Sequence, residues 1–565
     1  MRILAIVALL TVGCRPGTPS PRVAIPDEWP YQSRVAEARG ENGMVTSDAP
    51  LASRAGVEVL KAGGNAVDAA VAVGFALAVV YPEAGNLGGG GFALVRMADG
   101  RVAAIDYREM APLAATRTMF LDDSGRATRA SVVGPLASGV PGAVAGMVET
   151  QQRFGRLTLA QVLAPAIRVA EEGFAVDSLL ARSLDEYSEL IGRFEGRAVF
   201  LPGGQPLARG SVLRQPALAR TLRAIADSGA AAFYTGGVAR LIAEDLRAAG
   251  SIITAEDLAR YKAEVREPIR ATYRGHTLLT MPPPSSGVTM VQILNILEGF
   301  NPLPAFGSAR RAHLLASAMQ RAFVDRNRSL ADPAFARVPV DHLADKSYAA
   351  LLRASIGARA TPTPAVTATM TEGAHTTHYA VVDSAGNAVS TTTTINDLYG
   401  SGVYLPNAGF FMNDEMDDFT ANPGQPNLFG LVQGEQNAIE PGKRMLSSMI
   451  PTIVLDRAGR PLLLVGARGG PRIITSVTQT IVNVIDHRMS LPDAINAPRV
   501  HHQALPDTIR YEAGGLTPVL LDSLRLLGYG LREMGNIGSV NGIMRIGSEW
   551  VGYADPRSGG RPFGY

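Results

Sequence analysis

The chain contains a single cysteine, Cys14, so it can form no internal disulfide and no cysteine-based zinc site. Lysine is scarce as well: Lys61, Lys262, Lys346 and Lys443 are the only ones, and arginine carries almost all of the basic charge. That bias reads as a property of the genome before it reads as function. Strong charge of one sign is also missing. The 53 basic and 51 acidic side chains leave a net charge of +2, which excludes the field expected of a nucleic-acid-binding or acidic-lipid-binding surface. Apart from the first residues, the one strongly apolar stretch is AVDAAVAVGFALAVVYP at 66–82; it is short for a membrane span and carries Asp68, so it is read as a buried helix. The common catalytic signatures G-x-S-x-G, S-x-x-K and H-E-x-x-H do not occur. GGGG at 88–91 fits neither a phosphate loop nor a dinucleotide fingerprint and is read as close backbone packing.

What is present is a globular composition, 46% hydrophobic and 18% charged over 565 residues, a length that would suit several domains. The chain opens on MRILAIVALLTVGC, a basic Arg2 followed by a short apolar run and small residues, which reads as a secretory signal. TVGC resembles the bacterial lipoprotein signal, although Thr11 stands where leucine is usual. The expectation is a signal peptide over 1–13, a lipid-modified Cys14 and a proline-rich tether over 14–40, which places the protein in the bacterial envelope, on the periplasmic side or secreted.

Along the rest of the chain, residues 51–81 read as two helices broken by Gly63-Gly64, and NLGGGGFALVRM and VAAIDYREMAP as strands. The region 177–265 reads as mostly helical, and 355–371, rich in Ala, Thr and Pro without apolar periodicity, as exposed chain. Beyond it, HYAVVD and AVSTTTTI alternate around SAGN, a hairpin signal. Strands at both ends with helices between them indicate an α+β layered fold. VHHQ at 500–503 sets two histidines side by side, but neighbours on a strand face opposite sides, which argues against a metal pair.

The hairpin raises a chemical question, because it carries Thr376, Thr377 and Thr391–Thr394 where a core strand would carry Val, Ile or Phe. A threonine hydroxyl is a poor nucleophile without a base beside it. An N-terminal threonine solves this with its own α-amine, which titrates near ~8 and is substantially neutral at working pH. A mid-chain threonine gains that amine only through a cut immediately before it. The alternative reading is a threonine-rich, solvent-facing hairpin.

GGNAVDAAVAVGFALAVVYPEAGNLGGGGF, DYREMAP, GVPGAVAGM, PPPSSG, TTHYAVVD, NDEMDDF, LSSMIPTIV and DPRS occur in this order. With them the chain resembles the γ-glutamyltranspeptidase family over nearly its whole length. The resemblance implies an N-terminal nucleophile hydrolase, a four-layer αββα sandwich formed jointly by two pieces of one precursor. The cut falls between His375 and Thr376, giving a large subunit, 41–375, and a small one, 376–565, in one interlocked domain.

It further implies that Thr376 attacks γ-glutamyl amides such as glutathione, and that the resulting ester passes to water or to an amino-acid or peptide amine. Thr394 would orient Thr376, and the Gly469 and Gly470 N–H groups would stabilise the oxyanion, each worth about 3 kcal/mol. Arg108, with Ser447 and Ser448, would bind the substrate's carboxylate; Asn396, Glu415 and Asp418 would hold its ammonium. No metal and no cofactor is implied. Residues 426–445 resemble the family's lid loop, with Phe429 where some members have tyrosine. Arg468 and Pro471 flank the glycine pair where many members have proline and serine. Two rivals remain: a cephalosporin or glutaryl acylase of the same fold, and an uncut lipoprotein that only binds γ-glutamyl peptides.

Overall fold

The computed structural model describes residues 25–31, 37–363 and 376–565. Cys14, the signal peptide, much of the expected tether, residues 364–371 of the Ala/Thr/Pro segment and His375 lie outside the described residues.

Two seven-stranded sheets form the centre. One runs, in spatial order, Phe563–Gly564, Gly43–Thr46, Thr376–Asp383, Ala388–Thr394, Gly90–Arg96, Val102–Tyr107 and Glu264–Arg266. The other runs Glu37–Gly40, Glu549–Ala554, Ser539–Ile546, Pro461–Arg468, Thr452–Leu455, His276–Thr280 and Ile269–Tyr273. Neighbours pair antiparallel throughout both sheets. Each sheet takes strands from both sides of Thr376, so neither half of the chain completes a sheet alone.

The period of two along the hairpin assigns its faces. Tyr379, Val381 and Val389 pack into the core shared with the helices Pro50–Lys61, Ala66–Val80, Ala143–Phe154 and Leu159–Glu172. Ala380, Val382 and Ala388 belong to a second core, which continues through the other sheet to the helices Gly287–Glu298, Ala309–Ser329 and Arg472–Ile485. The layers are therefore helix, sheet, sheet, helix. The sheets approach closely where Gly466 faces His378: a Cβ on that glycine would lie 2.2 Å from the ring Nδ1. The 88–91 glycines are tight against their own side of the structure, with a Cβ on Gly91 falling 2.4 Å from the Thr392 carbonyl on the adjacent strand of the same sheet.

The apolar stretch at 66–82 is a helix buried along its full length, Ala66–Val80. Its one charge, Asp68, is placed by hydrogen bonding. The carboxylate accepts from the Asn65 N–H at 3.0 Å and the Arg156 N–H at 2.9 Å, while Asn65 caps the first turn in return. Asp383, at the end of the first hairpin strand, accepts from the Ala66 N–H at 2.9 Å and ties sheet to helix.

Two sequence-based boundaries shift. The expected tether is part of the fold before it ends. Trp29 is buried with its Nε1 donating to the Asn496 carbonyl, Arg557 stacks over it, and Glu37–Gly40 is an edge strand. The described part of the Ala/Thr/Pro segment is pinned: the Thr363 N–H donates to Asp507 at 2.7 Å and Ala360 N–H to the Leu527 carbonyl.

Asp68→Ala is expected to lower the thermal midpoint in calorimetry, with a loss of about 3 kcal/mol, because the buried N–H of Asn65 loses its acceptor. Asp68→Asn, which keeps one acceptor oxygen, should lose less.

Candidate active site

Thr376 is the first residue of its strand and lies directly across the ladder from Thr394. Cross-strand partners share a face, so the two hydroxyls meet: Thr376 Oγ1 donates to Thr394 Oγ1 at 3.4 Å, and the Asn396 N–H donates to Thr394 Oγ1 at 2.8 Å. Asn396 takes φ +73°, a backbone state that asparagine tolerates better than most residues, and it turns the chain away after the strand. Both threonines are buried, at 5% and 3% exposure, yet both border the same cavity.

The other hairpin threonines do not line it. Thr377 donates to Asp48 at 2.9 Å, Thr392 meets His378 Nδ1 at 2.9 Å and Thr393 donates to the Gly90 carbonyl at 2.8 Å. The expectation of a threonine-lined polar site thus narrows to Thr376 and Thr394; the rest satisfy polar groups between buried layers. Burial pulls His378 down to about 3, so its ring is neutral.

Gly469 and Gly470 take φ +128° and +57° and lead into the helix Arg472–Ile485. Side chains are excluded there on steric grounds too: a Cβ on Gly470 would lie 2.9 Å from the Phe429 ring, and one on Gly469 2.9 Å from Gly538 Cα. Neither N–H is used by a turn or loop carbonyl among the described residues. The loop is held from below by Arg472, whose Nε donates to the Gly469 carbonyl at 3.0 Å. Arg468 points elsewhere. Its Nη1 meets the Tyr81 hydroxyl, and it does not line the cavity. Pro471 caps the helix.

Arg108 is fully buried. Its Nη1 lies 2.7 Å from Glu415 Oε2 and 3.3 Å from Glu109 Oε2, its Nη2 pairs with Asp418, and its Nε donates to the Met445 carbonyl. The arginine assigned to a substrate carboxylate and two of the acids assigned to its ammonium are therefore paired with each other. One guanidinium does not satisfy three acids. Among the described residues, Glu109 Oε1 and Glu415 Oε1 have no hydrogen-bond donor.

Burial pushes Glu109 up to about 7 against the pull of Arg108, and raises Glu415 and Asp418, which repel one another. Asn396 donates through Nδ2 to the Asp414 carbonyl at 3.1 Å. Ser447 accepts from the Met449 N–H at 3.1 Å, a local turn bond, while still lining the cavity. Ser448 accepts from Arg326 Nη2 at 3.1 Å.

All of the sequence-predicted catalytic and binding residues except Gly469, the neighbour of Gly470, border this cavity, with Phe429, Met449 and Ile473 as its apolar wall. His375 is outside the described residues. The sequence reading passed over Arg326, Glu109, Gln433 and Asn437. Arg326 sits on the helix Ala309–Ser329 and links Ser448 to Ser286 of the PPPSSG motif. Gln433 and Asn437, on the lid loop, both donate to the Asp418 carbonyl. The space inside the cavity is about 20 Å³, room for a water. Phe429 closes it against Gly470, and Gln503 Nε2 holds the Phe429 and Gly430 carbonyls.

No group of three or more metal-ligating side chains occurs among the described residues. The ring nitrogens of His501 and His502 are all engaged, with Thr475, Gln503, Asp507 and the Ala504 N–H.

The raised acids give a pH signature. A carboxyl that holds its proton more tightly in the folded state contributes stability that is complete below its unfolded value and is lost as pH climbs through its folded one. For Glu109 that window runs from about 4.5 to about 7. Thermal midpoints measured across it should fall with rising pH, and Glu109→Gln should flatten the decline.

The comparisons with known proteins agree with this geometry. A family model described as gamma-glutamyltranspeptidase matches residues 52–565. A glutathione hydrolase proenzyme of Escherichia coli (strain K12) is 45% identical over 570 residues, covering 99% of this chain and 98% of its own. Another, of Pseudomonas sp. (strain A14), is 47% identical over 501 residues, 86% of each. Among solved structures, a cephalosporin acylase from Bacillus halodurans superposes with a TM-score of 0.84 at 30% identity, over 96% of this chain and 99% of its own. The N-terminal nucleophile fold, the paired threonines and the match over most of the sequence have one explanation: the chain belongs to the γ-glutamyltranspeptidase family.

Proposed function

We propose that this protein is a γ-glutamyl hydrolase and transferase acting on glutathione and related γ-glutamyl compounds, with Thr376 as its nucleophile. The observation that carries the reading is the cavity beside Thr376, where the buried Arg108 guanidinium and the carboxyls of Glu415 and Asp418, with Glu109 paired to Arg108 behind them, adjoin the Thr376 hydroxyl and Gly470. An α-amino acid head group carries one positive and one negative charge. Its carboxylate takes the Arg108 guanidinium, and its ammonium takes the carboxylates that Arg108 releases, so the exchange leaves the net charge of the cluster unchanged. A side-chain amide then extends toward Thr376.

Maturation comes first. Thr376 Oγ1 attacks the His375 carbonyl, the peptide nitrogen of Thr376 leaves as its amine, and water hydrolyses the ester, freeing the new N-terminus. In turnover that amine accepts the hydroxyl proton as Oγ1 attacks the γ-carbonyl carbon of the substrate. The Gly469 and Gly470 N–H groups receive the developing oxyanion. On collapse the C–N bond breaks and the leaving amine takes the proton. The γ-glutamyl ester on Thr376 then passes to water or to an amino-acid or peptide amine by the same steps. Thr394, bonded to Thr376, keeps the hydroxyl aimed. Ser448, oriented by Arg326, and Ser447 adjoin the carboxylate end. The lipoprotein-like leader supports a bacterial-envelope location with attachment through Cys14, or secretion.

A second reading, a cephalosporin or glutaryl acylase, is favoured by the similarity to the Bacillus halodurans acylase. The two differ at the ammonium. A glutaryl group lacks it and would leave buried carboxylates unpaired.

Two measurements decide. Intact-mass analysis of the purified protein should give two pieces, the smaller beginning at Thr376, and a single uncut chain for Thr376→Ala, with activity lost by about 10⁴-fold or more; an uncut wild-type chain after long incubation would return the protein to a binding role. On the wild-type enzyme, kcat/KM for γ-glutamyl-p-nitroanilide should exceed that for glutaryl-p-nitroanilide by roughly 10²-fold or more. Equal values would move the acylase reading to the front.

A further inference from the structure

A second cavity, of about 140 Å³, lies where the helices Ala309–Ser329 and Pro518–Leu526 begin. Pro26, Phe306, Ala312, Pro498, Val500, Leu516 and Leu520 are its apolar side chains. Among the described residues its one charged side chain is Arg311, only 6% exposed. The guanidinium donates through Nε to His487 Nε2 at 3.0 Å and through Nη2 to Asn483 Oδ1 at 2.9 Å, with the Phe306 ring 4.6 Å away. All three partners are uncharged: burial and Arg311 itself pull His487 down to about 4. Asp486, whose charge also reaches Arg311, is paired directly with Arg274 at 2.9 Å. Nη1 makes no hydrogen bond among the described residues.

Buried guanidinium groups are ordinarily matched by an anion. Here two helix N-termini, capped by Ser308 and Thr517, add positive potential at the same cavity, and no acidic side chain among the described residues borders it. We propose that this cavity is a binding site for a small organic monocarboxylate, with the carboxylate on Arg311 and a compact apolar body among Phe306, Val500 and Leu520. Size sets the body: an apolar cavity of roughly 150 Å³ takes up a benzene ring. An inorganic anion would leave that wall uncovered.

The site is separate from Thr376 but mechanically joined to it. Asn483, which holds Arg311, and Gln479, which borders the cavity, sit on the helix Arg472–Ile485 that begins just after Gly470. At 1.5 Å per residue, the 13 steps from Gly470 to Asn483 span roughly 20 Å. A bound carboxylate braces the far end of the element that presents the oxyanion glycines.

Calorimetric titration of the full-length wild-type protein with benzoate tests this, with benzyl alcohol as the neutral isostere. Benzoate should bind at least ten-fold more tightly, should not compete with γ-glutamyl-p-nitroanilide, and should raise the melting temperature. Ala312→Phe, which fills the cavity, should abolish benzoate binding while leaving kcat/KM for the anilide within two-fold. Arg311→Met should erase the preference for benzoate over benzyl alcohol while still binding the alcohol. Equal affinity for the two probes on the wild type, competition with the anilide, or benzoate binding that survives in a folded Ala312→Phe protein would overturn the proposal. The wild-type comparison stands even if a variant fails to fold.

Discussion

The antiparallel pairing of Thr376–Asp383 with Ala388–Thr394, in the middle of a buried sheet, is the constraint on which the rest depends. It fixes Thr376 opposite Thr394 and turns both toward the space between the sheets. It also sends Tyr379 and Val381 into the helix-side core. A slip of one residue would exchange these faces, placing Tyr379 against the second sheet and the nucleophile under a helix. The register is protected on both edges, since Gly43–Thr46 and Gly90–Arg96 pair with the hairpin from either side. Gly466, by yielding space to the His378 ring, lets the second sheet come close enough to bring Gly469 and Gly470 to the end of that strand.

Charge organises the pocket that the strands position. Burying Arg108 with Glu109, Glu415 and Asp418 is costly in isolation, and the cluster is over-supplied with acid. Proton uptake by the acids relieves part of that excess, and an incoming ammonium relieves it more specifically. The attractions within the pocket are those that a zwitterion exchanges for its own, while Asp418 is fixed from behind by Gln433 and Asn437.

Much of this was legible in the sequence. The alternation around SAGN gave the hairpin, the apolar run with one aspartate gave the buried helix, and the motif resemblance gathered residues from 108 to 470 that do border one cavity. The parts that were not legible are those that depend on distance along the chain. Arg326 and Ser448 are 122 positions apart, and nothing local marks that pair among the arginines of an arginine-rich protein. The mutual pairing of Arg108 with Glu415 and Asp418 required knowing that both groups are buried with no counter-ion nearer than each other. The tether boundary was misplaced because proline content describes stiffness, whereas the burial of Trp29 depends on Arg557, more than 500 residues away.

The sharing of both sheets between the two sides of Thr376 has a consequence for how the protein is made. An unbroken chain folds by a first-order process, with all strands tethered to one another. Once the peptide bond before Thr376 is cut, the reverse journey is no longer available on the same terms. Two separated pieces would have to find each other at second order, each exposing unpaired strand edges meanwhile. Maturation therefore acts as a ratchet: the cut converts a folding equilibrium into a one-way assembly, and the lifetime of the finished enzyme is set by the barrier to opening it, not by its capacity to refold.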